Sequence, residues 1–284
     1  MSRKCFIYLL VFLFAIISIS CAFIYRYFIE KPKYSEYDYN PLISVLVTSY
    51  NYDKYIQQTL DSILNQTYKN YEVIVVDDGS TDNSVALISK YVKEYKKFHL
   101  YQHRGGVNKG FPASIKLGIE KAKGDYVAFL ESDDYWAPDN LLEKVKTINK
   151  NNNVVIISNN IVTFGEDKEE VDKATFYVNL LDEFLTEKNI ITAREDLFNY
   201  IPTFSAVMIQ RDILKNLDYD TPIPAFLDLY LYRQILAKYP LYYIKKQLTY
   251  WRRHIKSFNS NQNQPEHYAK AEAFLQKLKE IIEK

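Results

Sequence analysis

Two acidic clusters in the sequence have residue types that could bind a cation or a nucleotide. Glu131, Ser132, Asp133 and Asp134 place three carboxylates within four residues. Such groups repel one another and lose solvation against a folded domain unless a cation or a hydrogen-bond donor offsets them. A hard divalent ion such as Mg2+ or Mn2+ takes oxygen ligands and is often shared with substrate phosphates. A solvated acidic turn, or helix capping ahead of Pro138, is the alternative, although capping explains one acid and not three. The second cluster, Asp77-Asp78-Gly79-Ser80, reads either as a tight turn or as a carboxylate placed to accept a hydrogen bond from a nucleobase. Neither G-x-G-x-x-G nor G-x-x-x-x-G-K-[ST] occurs, so the phosphate-binding turns of dinucleotide and P-loop proteins are missing.

The elements around these clusters set where they can sit. Apolar runs at residues 42–47, 71–76 and 126–130 suit buried parallel strands, and residues 98–102 are strand-like. Between them, Tyr55, Leu60, Ile63 and Leu64 recur at helical spacing. Val85, Ile88 and Tyr91 do the same behind a cap at Asp82 or Asn83. Further helices are expected over residues 113–122 and after Pro138. This alternation implies an α/β fold, a doubly wound, mostly parallel sheet flanked by helices. Ligands bind such sheets beyond the carboxyl ends of the strands, where residues 48–52, 77–82 and 131–134 fall. Later in the chain, residues 154–160, 203–209, 241–244 and 248–252 read as strands and 225–237 as a helix. Residues 166–200 carry no readable pattern. A terminal amphipathic helix is expected over 265–284, with Ala271, Leu275, Leu278 and Ile282 on one face.

Composition narrows the classes. Across 284 residues, 36 basic side chains face 35 acidic ones. The basic excess or stripe of a nucleic-acid binder is missing, so no nucleic-acid partner is expected. The two cysteines, Cys5 and Cys21, exclude a disulfide framework and lie in an uncharged apolar run over residues 5–25. That run has the length of a bilayer-spanning helix, roughly 20 residues. A retained single-pass anchor is expected; a cleaved signal, whose apolar core is roughly 7–15 residues, and a buried helix are the alternatives. Arg3 and Lys4 before the run and Arg26, Lys31 and Lys33 after it leave its orientation open. The expected organisation is a tail at 1–4, an anchor at 5–25, a linker at 26–40, a domain at 41–260 and the terminal helix.

Taken in order, PLISVLVTSYN, YEVIVVDDGSTD, NKG, AKGDYVAFLESDDYW, FLDLYLYR and YWRRH resemble family 2 glycosyltransferases of the GT-A fold, over about residues 41–257. The resemblance implies that Thr48, Tyr50 and Asn51 border a nucleobase and that Asp78, with Asp77 beside it, holds base or ribose. Asn108 and Gly110 would line the donor pocket. Glu131, Ser132 and Asp133 match the family's D-x-D, with Asp133 the ligand of a divalent metal, Mn2+ or Mg2+, that bridges the diphosphate. Asp228 matches the general base; capping of its helix is the bland alternative. Arg252 and His254 match the ending that closes over the diphosphate and reaches the metal, or His254 is a structural histidine. Three departures stand out: Glu131 replaces the first Asp, Trp251 replaces a Tyr, and Ile115-Lys116 replaces Arg-Asn, leaving Lys116 as a candidate phosphate contact.

The implied function is metal-assisted, inverting transfer of a sugar from a nucleotide-diphosphate donor, such as a UDP-sugar, to a glycan, lipid-linked or protein acceptor. The alternative is a degenerate membrane-bound scaffold or binding subunit with the same fold, against which Asp78, Asp133 and Asp228 argue together. A nucleotidyltransferase would need a Gly-rich basic turn where SYNYDKY stands. In a bacterium, cytosolic nucleotide sugars would place the domain on the cytoplasmic face of the membrane.

Overall fold

The computed structural model describes residues 39–186, 190–191, 201–254 and 265–283. The chain divides into two units, Met1–Tyr39 and Asn40–Lys284. The expected anchor at residues 5–25, and the linker up to residue 38, lie outside the described residues. Among the described residues no helix is long and apolar enough to cross a membrane.

The second unit is a nine-stranded sheet with helices on both faces. Its first half follows from the sequence pattern. β1 (Ile43–Ser49) lies parallel to both β2 (Tyr71–Asp77) and β4 (Tyr126–Glu131), and β3 (Phe98–Gln102) adds outside β2. Side chains alternate across a strand. Ile43, Val45, Val47, Val73 and Val75 therefore enter one core, against α1 (Ile56–Leu64), α2 (Ser84–Glu94) and α4 (Asn140–Lys150). Leu46, Ile74 and Val76 enter the other, against α3 (Phe111–Lys121). Burial on both faces explains why these strands are continuous apolar runs.

The second half departs from a mostly parallel sheet. β6 (Ile156–Gly165) is parallel to β9 (Leu241–Arg253), but β8 (Val207–Gln210) runs antiparallel between β4 and β6. β5 (Tyr135–Trp136) and β7 (Ile190–Ile191) also pair antiparallel, both with β9. Apolar alternation reports the faces of a strand and not its direction, so the sheet is mixed. A 3-10 turn, Phe204–Ala206, occupies the start of the strand expected at 203–209. The strands expected at 241–244 and 248–252 are one strand. Register shifts between Asn159 and Ile161 skip Lys245, Lys246 and Leu248, so the strand runs on through the exposed residues 245–247 that separate the two in sequence.

Residues 166–200, unreadable as sequence, contain α5 (Lys168–Thr186), which packs Leu181 and Leu185 into the second core. After α6 (Arg211–Leu214), a 3-10 turn, Pro224–Phe226, leads into α7 (Leu227–Leu236). The terminal helix is α8 (Pro265–Glu283), but Phe274 and Leu278 form its packed face, on Ile223 and Tyr230, while Leu275 is exposed.

The turn after β2 depends on a glycine. Gly79 has φ +81°, and a Cβ there would lie 2.7 Å from the Gly106 carbonyl oxygen and 2.8 Å from the Asn108 nitrogen. Gly79→Ala therefore combines a disfavoured backbone with a clash against another loop. A loss of roughly 1–3 kcal/mol in unfolding free energy is expected by chemical denaturation.

Candidate active site

A cleft of about 1010 Å3 opens at the carboxyl ends of β1, β2 and β4. Two of its loops are bound to each other before any ligand arrives. Asn51, at φ +57°, accepts the Thr81 N–H on its Oδ1 at 2.7 Å, and its own N–H donates to Ser80 Oγ at 2.9 Å. The Asp78 N–H donates to the Ser49 carbonyl at 2.8 Å. The loops after β1 and β2 thus form one bed, presenting Thr48, Tyr50 and Asn51 to the cleft.

The two acids after β2 separate. Asp78 lines the cleft, where its carboxylate accepts the N–H groups of Lys109 and Gly110 at 2.7 and 2.8 Å. Gly110 N–H also lies 3.1 Å from Asn108 Oδ1. Asp78 therefore shapes the loop that brings Asn108 and Gly110 to the same cleft. Asp77 is fully buried and does not line it; its carboxylate accepts from Ser80 N–H at 2.9 Å and Ser80 Oγ at 2.5 Å. Lys116 is exposed on α3 and also lies outside the cleft lining.

The acidic turn after β4 is held from below. Asp134 is 1% exposed and points away from the cleft. It accepts from Ser205 Oγ at 2.5 Å and from the Arg252 N–H at 2.8 Å. The Thr59 hydroxyl lies 2.9 and 2.7 Å from the Ser132 and Asp134 carbonyls. Burial, then the charges of Asp133 and Glu131, hold the Asp134 carboxyl well above its usual range. Glu131, Ser132 and Asp133 remain on the cleft side. Glu131 accepts from Thr203 Oγ1 at 2.7 Å, and desolvation together with the Asp133 charge pushes it up to about 8.

The end of β9 closes the site from the other side. Arg252 Nε donates to the Asp133 carbonyl at 2.8 Å, and its Nη2 donates to Gln58 Oε1 at 2.5 Å. Its guanidinium lies between Tyr55 and Phe164, 4.6 and 4.4 Å from their ring centroids. His254 Nε2 lies 3.1 Å from Asp133 Oδ2 and packs on the Tyr52 and Tyr55 rings. Asp228 enters the cleft from the first turn of α7. Its Oδ1 accepts the Leu229 N–H at 2.7 Å, and desolvation pushes its carboxyl up to about 6.

Among the described residues, no group of three His, Cys, Asp or Glu side chains is set to hold a metal. The cleft offers a carboxylate and an imidazole in contact, Asp133 and His254. That mixed oxygen and nitrogen pair suits an ion that fills its remaining positions with water and substrate phosphate. Thr203, Ser205, Thr59 and Gln58 support the site but gave no sequence signal, because an isolated hydroxyl or amide has no chemistry until a neighbouring element reaches it.

Residues 44–217 match Glycosyl transferase family 2, and the chain belongs to that family. An uncharacterized glycosyltransferase of Haemophilus influenzae is 40% identical over 119 residues, 42% of this chain and 47% of that protein. Another, alr2836 of Nostoc sp., is 31% identical over 175 residues, 61% of this chain and 52% of that protein. The chain thus spans about half the length of these relatives. Among solved structures, S. aureus TarS 1–349 in complex with UDP-GlcNAc shares the fold at TM-score 0.59 and 19% identity, covering 84% of this chain and 65% of that one. The mannosyltransferase PcManGT from Pyrobaculum calidifontis, in complex with GDP-Man and Mn2+, does so at TM-score 0.59 and 20% identity, covering 93% and 75%.

Removing the buried support has a definite cost. Asp134→Ala leaves the Ser205 hydroxyl and the Arg252 N–H without their acceptor, and a loss of roughly 2–5 kcal/mol is expected from denaturant unfolding.

Proposed function

We propose that the chain transfers a glycosyl group from a nucleoside diphosphate donor to an acceptor hydroxyl, with inversion at the anomeric carbon. The observation that carries this reading is one cleft that holds the Asp133–His254 pair and Arg252 together with the desolvated carboxylate of Asp228. The bed formed by Thr48, Tyr50, Asn51 and Asp78 would receive the nucleoside, with Asn108 and Gly110 beside it. Asp133 and His254 would hold a divalent ion, with Mn2+ or Mg2+ as candidates. When bound, that ion supplies positive charge against the charge developing on the departing diphosphate.

The remaining steps fall to the chain's own residues. Arg252, fixed between two rings, adds a preorganised positive charge near the leaving group. The acceptor oxygen forms its bond to the anomeric carbon as the bond from that carbon to the phosphate oxygen breaks. Asp228 takes the acceptor's proton. A base matched to this task has its pKa near the working pH, and desolvation moves Asp228 in that direction. The structures bound to UDP-GlcNAc and GDP-Man support a nucleotide-sugar donor, while UDP over GDP follows from the resemblance alone. The acceptor classes are a glycan, a lipid-linked sugar or a protein. The uncharged run at residues 5–25 supports a single-pass membrane anchor; if the protein is bacterial, its nucleotide sugars are cytosolic and the domain lies on the cytoplasmic face.

Two measurements test the base. Asp228→Asn is expected to lower transfer by about 10²–10⁴-fold, while donor affinity stays within a few-fold. Near-normal turnover would overturn the assignment. Because the base works only when ionised, kcat for transfer should fall as pH drops through about 6 and level off above it. A rate that is flat across that range would contradict the role.

A further inference from the structure

One side chain of the cleft carries a polar atom that no other part of the described chain engages. Tyr52 follows Asn51 directly on the loop after β1 and lines the cleft. Its backbone is fixed, because its N–H donates to Ser84 Oγ, at the start of α2, at 3.0 Å. Its ring is fixed as well. It meets the His254 imidazole edge-on, with centroids 5.8 Å apart, and lies 6.1 Å from the Tyr55 ring. Tyr55 in turn packs on His254 and against the Arg252 guanidinium. Tyr52 therefore belongs to the corner of the cleft in which Asp133, His254 and Arg252 meet.

The Tyr52 hydroxyl is left over from this packing. It has no hydrogen-bond partner among the described residues, and it is open to the cleft rather than sealed in the core. The Tyr232 hydroxyl, in the field of Asp228 and Glu131, is by contrast enclosed and out of a ligand's reach. Burial, and then the charges of Asp133, Glu131 and Asp134, hold the Tyr52 hydroxyl above the usual phenol range, so it stays an O–H donor. None of these carboxylates accepts from it. Asp134 is engaged by Ser205 and Arg252, Glu131 by Thr203 and Asp133 by His254. The acceptor that completes the hydroxyl must come with a ligand. Beside Arg252 and a pair suited to a cation, the oxygen that settles there is an anionic one, and hydrogen bonds to ionised oxygens are the strong ones.

On the transferase reading above, we infer that the Tyr52 hydroxyl donates a hydrogen bond to a phosphate oxygen of the nucleoside diphosphate. The held ring means that little freedom is lost when the bond forms. Because negative charge grows on the diphosphate as its bond to the sugar breaks, a preorganised donor there also favours departure. Tyr52 would thus recognise the diphosphate and read neither the base nor the sugar.

The test is Tyr52→Phe in the full chain, held in detergent with Mn2+ present. The substitution keeps the ring on His254 and removes only a hydroxyl that bonds to nothing in the protein, so unfolding free energy should not change. Isothermal titration with UDP and GDP reads diphosphate binding, and saturation-transfer NMR with uridine and guanosine reads the nucleoside bed. Affinity for the diphosphate should fall about 5–20-fold, with the nucleoside signal altered less than about twofold. Unchanged diphosphate affinity would overturn the inference. So would an equal loss for nucleoside and diphosphate, a loss seen only with a nucleotide sugar and not with the free diphosphate, or a destabilised fold, which would give the hydroxyl a partner inside the protein. If the unaltered chain binds neither UDP nor GDP, the transferase reading fails and this contact with it; if it binds one and Tyr52→Phe binds it equally, only the contact fails.

Discussion

The site depends on how one buried carboxyl group is held. Asp134 sits directly after the acidic residues that face the cleft, and both of its oxygens are occupied, by Ser205 Oγ and the Arg252 N–H. Through these contacts it joins three elements distant in sequence: the end of β4, the 3-10 turn before β8 and the last residues of β9. The consequence is geometric. With the Arg252 backbone fixed on Asp134, its side chain reaches the Asp133 carbonyl, and His254 two residues on meets the Asp133 carboxylate. Three acids packed this closely would repel. The fold turns one inward, gives Glu131 a hydroxyl donor and leaves Asp133 against an imidazole.

The same electrostatics divides labour between the carboxylates. Desolvation raises Glu131 and Asp228 alike, but the nearby Asp133 charge adds to the effect at Glu131 and not at Asp228. Glu131 is thereby driven further toward its neutral form, while Asp228 stays close to the range in which a base can both lose and accept a proton. The difference follows from position: Glu131 is two residues from Asp133 on one turn, whereas Asp228 comes from a separate helix.

The parts legible in the sequence were those with local periodicity. Ile43–Ser49, Tyr71–Asp77 and Tyr126–Glu131 are apolar because both of their faces are covered, so strand identity and the siting of polar clusters at their ends could be read directly. Direction and long-range pairing could not. Nothing in residues 207–210 says that they run against β4, and Lys245–Gln247 look like a break although one strand bulges through them. Among candidate residues, Thr48, Asn108, Glu131, Asp133, Asp228, Arg252 and His254 come together in one cleft. Asp77 and Lys116 do not, since motif spacing cannot distinguish an acid that closes its own turn from one that faces a ligand. Asp134 was legible as an acid but not as the support beneath the others, because its partners are 71 and 118 residues away.

On the proposed function, the acidic turn and the end of β9 make a cation-dependent site for a nucleoside diphosphate sugar. Isothermal titration of the full chain with UDP- and GDP-sugars, with Mn2+ and again with EDTA, tests it most directly. Saturable binding of at least one donor with Mn2+, and affinity at least tenfold weaker in EDTA, are expected. Failure to bind any nucleotide sugar in either condition would contradict it.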